Sequence, residues 1–205
     1  DVAGNTTSAT EAGSDRSVTY DSLAPTVTLA QAATQADPTT GAPIVFSLTA
    51  SEPLDGTTVS LEDFEVSNGT AVLTGSGSAW TLSVTPAGEG LVSVAPSAAF
   101  SVADPAGNAT SEAAGTDRAV TYDSVAPTLT VTRADGQDAT TNAVPLHFTL
   151  TASEALAVAT LTSGDLEITN ARTVTLDCTG DPTVCDITVM PAGQGEVAVS
   201  ASADF

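Results

Sequence analysis

Ten side chains offer hard oxygen donors where turns could gather them: Asp1, Asn5, Asp21, Glu52, Asp63, Asp104, Asn108, Asp123, Glu154 and Asp165. Calcium takes six to eight oxygens from carboxylates and carbonyls, so it is the expected structural cofactor of such a set. Asp1 with Asn5, and Asp104 with Asn108, stand in D-x-A-G-N turns, while Asp21 and Asp123 each precede an Ala-Pro pair. Glu52 with Asp63, and Glu154 with Asp165, could add oxygens at a domain end. A metal-free reading stays open for each group. The D-x-A-G-N turns could be plain Asx turns, and Asp21 and Asp123 could simply end strands by accepting backbone N–H bonds. Neither a twelve-residue EF-hand loop nor a glycine-rich calcium nonapeptide occurs.

Other chemistry finds less support. Cys178 and Cys185 bracket the turn-rich TGDPTV between two strand-like runs, the arrangement of a disulfide closing a hairpin, and neither CxxC spacing nor a nearby His completes a zinc site. If formed, the bond implies an oxidising compartment. His147, the single histidine, alternates outward from Leu146 and Phe148, and its counterpart in the first copy of the repeat described below is Val45, so it serves no role common to both halves. Ser, Thr and Asp are too abundant to mark a triad, and no enzymatic activity is expected. Trp80, the single tryptophan, reads as inward core packing rather than a sugar-stacking platform. The sequons at Asn5, Asn68 and Asn108 matter only in a host that glycosylates them.

What must position these residues is a repeat. VTYDSLAPTVT at residues 18–28 returns as VTYDSVAPTLT at 120–130, a shift of 102, and FSLTASEPL at 46–54 returns as FTLTASEAL at 148–156. VTPAGEG at 84–90 matches VMPAGQG at 189–195 at a shift of 105, so three residues are inserted at the cysteine hairpin. Residues 1–22 match 104–124 with one gap. The expected organisation is therefore the last strand and linker of a preceding repeat over 1–24, a complete repeat over 25–126, and a repeat lacking its final strand over 127–205.

Within each copy the apolar residues alternate with Thr and Ser. Ile44, Phe46, Leu48 and Ala50 define one face, and Leu146, Phe148, Leu150 and Ala152 define its counterpart. Turn signals such as Asn68-Gly69 and Ala106-Gly107-Asn108 separate these runs. About seven antiparallel strands in roughly 100 residues predict an all-β chain of tandem immunoglobulin-like β-sandwiches.

The succession SEPL, DFEVSNGTA, VTPAGEG, DPAGN and VTYDSVAPT resembles the bacterial Ig-like repeats of giant extracellular surface proteins and type I secreted adhesins. The resemblance covers the whole chain through short motifs whose order recurs. It implies a non-enzymatic extender module, located extracellularly at the cell surface or secreted, and stiffened by calcium at domain junctions. Neighbouring repeats in cis are then the partners.

An alternative follows from the phase of the repeat: a subunit of a filament or sheath in which identical units join head to tail by strand complementation. A third reading, a glycan- or receptor-binding module, points to the divergent loop at residues 181–184. With 25 acidic residues, four basic ones and a net charge of −21, nucleic acid and anionic membranes are disfavoured as partners. No stretch reaches the ~18 apolar residues of a membrane span, and any targeting sequence is expected outside this stretch.

Overall fold

A computed structural model describes residues 2–6 and 17–202. The chain is all-β with several sheets, consistent with a β-sandwich. It divides into two compact units, Asp1–Ser124 and Val125–Phe205.

In the first unit, β1 (Val27–Gln31) pairs antiparallel with β2 (Ile44–Leu54), which pairs with β4 (Gly69–Pro86). A Cβ at Gly69 would lie 2.6 Å from a Val84 methyl, which shows that β4 folds back on itself. It does so around Gly75 and Gly77, whose φ of 142° and 61° suit glycine. A second sheet runs β3 (Phe64–Ser67), β5 (Gly90–Pro96) and β9 (Ala119–Tyr122). The short β6 (Val102–Ala103) pairs with β7 (Ala109–Thr110), and β8 (Ala113–Ala114) runs parallel to β1.

The alternating side chains of both sheets meet in one core. Leu29, Ile44, Phe46 and Leu48 from one sheet and Val92, Val94 and Val120 from the other are fully buried in a single cluster. Burying such side chains stabilises by about 1.5–3 kcal/mol each, which is what selects this register over a one-residue slip.

The second unit repeats the elements at the sequence period. β10 (Leu129–Arg133), β11 (Leu146–Ala152) and β12 (Leu166–Ile168) follow β1, β2 and β3 at a shift of 102. Asn68 and Asn170, also 102 apart, both adopt φ 54°, and their side-chain amides donate to Gly88 and Gly193 respectively. The run that is continuous in β4 is here split into β13 (Ala171–Asp181) and β14 (Val184–Pro191) by the inserted residues. Cys178 and Cys185 form the expected disulfide across this hairpin. Among the described residues β15 (Val199–Ala201) pairs only with β12.

The expectation of about seven strands per copy becomes, among the described residues, nine in the first unit and six in the second. The closing segment of the first unit is broken into short pieces at turns, and among the described residues no strand of the second unit takes the place of β9.

A candidate cation site at the end of the first sandwich

Three of the ten candidate residues converge. Carboxylate oxygens of Asp21, Glu52 and Asp104 all lie within 4.8 Å of one another. They come from three separate segments: Asp21 from the stretch leading into Pro25, Glu52 from the end of β2, and Asp104 from the turn between β6 and β7.

Asp104 is the most buried of the three. It is 2% exposed. Its Oδ1 accepts the Asn108 backbone N–H at 2.9 Å, and its Oδ2 accepts the Asn108 side-chain amide at 2.8 Å. Gly107, at φ 91°, donates its N–H to the Asp104 carbonyl at 3.1 Å. The D-x-A-G-N sequence therefore forms an Asx turn, and the same carboxylate also faces the cluster. The Asn108 amide, turned toward Asp104 and 3.3 Å from the Asp21 carbonyl, orients the aspartates. These hydrogen bonds, that from the Asn108 side chain foremost, hold the Asp104 carboxyl below the usual carboxylate range.

Glu52 responds in the opposite sense. It lies on the core-facing register of β2, in line with Ala50 and Leu54, and is half-buried. Desolvation, then the charges of Asp21 and Asp104, push its carboxyl above the ordinary value. Asp21 is exposed, and its Oδ1 accepts the Leu23 N–H at 3.1 Å. Each carboxylate oxygen has a second lone pair, so these hydrogen bonds leave acceptor capacity facing the centre. Three carboxylates with no basic partner among the described residues suit a hard divalent cation, with main-chain carbonyls or water completing six to eight oxygens.

The remaining candidates sit elsewhere. Asp63 is buried and bonded locally: its Oδ2 accepts the Ser60 N–H at 2.7 Å and the Ser60 hydroxyl at 3.0 Å. Asp165 repeats this with Thr162 at 2.7 and 2.9 Å. Both are the acidic ends of capping boxes, a role readable in S-L-E-D and T-S-G-D. Asp63→Ala is expected to cost about 1–2 kcal/mol in urea unfolding, through loss of the cap. It is also expected to leave any calcium response intact. Asn5 and Asp123 are exposed, and Asp1 lies outside the described residues. Glu154 occupies in the second unit the register position of Glu52, and its Oε1 is buried without a hydrogen-bond partner among the described residues.

His147 is exposed, as its alternation predicts. Trp80 packs against the core edge and donates its indole N–H to the Gly77 carbonyl at 3.0 Å. Among the described residues no helix is long and apolar enough to cross a membrane. No protein-family model, curated protein or solved structure matches this chain.

Proposed function

We propose that the chain is a non-enzymatic structural extender, an Ig-like repeat of a long extracellular adhesin or fibre, in which calcium ties each linker to the sandwich that follows. The observation that carries this reading is the convergence of Asp21, on the linker side of Pro25, with Glu52 and Asp104 of the sandwich. Proline fixes φ and keeps the preceding residue extended, so the Ala-Pro linker is stiff by itself. The three like charges, however, push the linker away from the sandwich end until a divalent ion neutralises them. Asp21, Glu52 and Asp104 would hold that ion, and Asn108 would keep Asp104 aimed at it. The ion supplies charge neutralisation and crosslinking, with no chemical step. The disulfide is compatible with an extracellular setting.

Spin labels at two exposed positions, Val18→Cys before the linker and Val72→Cys on β4 of the same unit, test the tie. Calcium is expected to narrow the distance distribution between them relative to excess EDTA. An identical distribution in both conditions would rule out a calcium-stiffened linker.

A further inference from the structure

The closing segment of the first unit meets its opening strand in one register. Val27 pairs with Ala113 and Thr28 with Ala114, in parallel. Farther along, the Gln31 N–H donates to the Asp117 carbonyl at 2.6 Å. All three pairs share one offset of 86 residues, so residues 113–117 keep step with β1 along its length.

Two residues make this seam close and hold it. Gly115 adopts φ 110°, and a Cβ there would collide with the Leu29 carbonyl oxygen, so only glycine lets the segment lie this near to β1. Arg118 ties the seam from the side. Its Nη2–H donates to the Ala113 carbonyl at 2.6 Å and its Nε–H to the Leu29 carbonyl at 3.4 Å, one oxygen from each of the two segments. The side chain is half-buried, where a charged donor bonds more strongly than in water. The Arg118 carbonyl meanwhile accepts the Val94 N–H at 3.0 Å, which anchors the same residue to the second sheet. Past β9 the exit is held as well: the Asp123 N–H donates to the Thr39 carbonyl at 3.0 Å, and the Glu89 carboxylate accepts the Ser124 N–H at 2.9 Å and its hydroxyl at 2.6 Å. The tract G-T-D-R at 115–118 recurs in sequence as G-S-D-R at 13–16, so it belongs to the repeat.

In a parallel pair the start of one strand and the finish of the other lie at opposite ends. Tension that enters before Val27 and leaves after Ser124 therefore slides the two segments past each other and strains all the bonds of the seam together. Strands pulled apart from a shared end open one bond at a time instead. We propose that the first unit is a tension-bearing module whose barrier to forced unfolding is the seam between β1 and residues 113–117, with Arg118 as its positioning residue. Forced unfolding follows the unfolding rate, so contacts broken at the barrier decide it rather than equilibrium stability. The mechanical claim stands on the fold of this unit; only the origin of the tension rests on the extender reading. No cation is required.

Constant-force pulling on the full chain in excess EDTA tests the seam separately from any calcium tie. Cys178 and Cys185 are joined to each other, so thiols introduced at exposed positions take the handles. Leu23→Cys with Val125→Cys loads the seam in shear, and Leu23→Cys with Glu112→Cys peels it from one end. At equal force the folded lifetime should be several-fold longer in shear than in peeling. Arg118→Gln should shorten the shear lifetime by ~10-fold or more, the effect of losing hydrogen bonds from a charged group. Asp63→Ala, whose cap lies away from the seam, should leave that lifetime nearly unchanged although it lowers equilibrium stability. Should Arg118→Gln fail to fold, Arg118→Lys keeps the charge without the planar fork and should show the same loss. Equal lifetimes in the two geometries, or Arg118 variants that last as long under shear as Asp63→Ala, would overturn the proposal.

Discussion

Phe46→Ala is expected to lower the stability of the first unit by about 3–5 kcal/mol, the cost of removing a fully buried aromatic from a packed core. Phe148→Ala, one repeat later at the same register position, should cost well under half of that. Phe46 is 0% exposed beneath β9, whereas Phe148 lines an open groove and already meets solvent, so less apolar area returns to water and no closed cavity forms. Urea unfolding separates the two. Trp80 is the single tryptophan and lies in the first unit, so its fluorescence reports that unit alone, while far-UV circular dichroism follows both. Equal losses would mean that Phe148 is as fully buried in solution as Phe46.

Glu52→Gln is expected to have opposite effects with and without metal. In EDTA near neutral pH the variant should melt higher than the wild type. A carboxyl whose folded-state pKa is raised binds its proton more tightly in the folded state, so its ionised form costs stability above that pKa. That cost fades as pH falls through the raised value, and the two proteins should converge in acid. Asp104 runs the other way: its lowered pKa contributes stability above the ordinary value of 3.8 that is lost as pH falls through the folded value. In saturating calcium the order should invert, because the glutamine supplies a weaker ligand to the ion. A purely structural Glu52 would give the same ranking in both conditions, measured by calorimetric melting.

The repeat and its strands were legible because they are written locally. The period of 102 shows as near-identical segments, the alternation of Ile44, Phe46 and Leu48 is a two-residue pattern, and the cysteines flank a turn. Which acids meet was not legible. Asp21, Glu52 and Asp104 are far apart in the chain, and only the folded sandwich brings them to one end. Two signals could have narrowed the set. Glu52 interrupts the inward-facing register of β2, where a charge needs a partner, and Ser60 and Thr162, each three residues before an aspartate, mark capping boxes that occupy Asp63 and Asp165 locally.

Calorimetric titration of calcium into the EDTA-stripped chain, with Asp104→Ala beside the wild type, tests the cation site most directly. Wild type should show saturable binding, and at about 100 times the dissociation constant the ion should add ~2.7 kcal/mol and raise the melting transition by several degrees. Asp104→Ala should lose both the binding heat assigned to this site and the shift in melting. If the wild type takes up no calcium, or if Asp104→Ala binds and is stabilised as the wild type is, then Asp21, Glu52 and Asp104 do not form a calcium site.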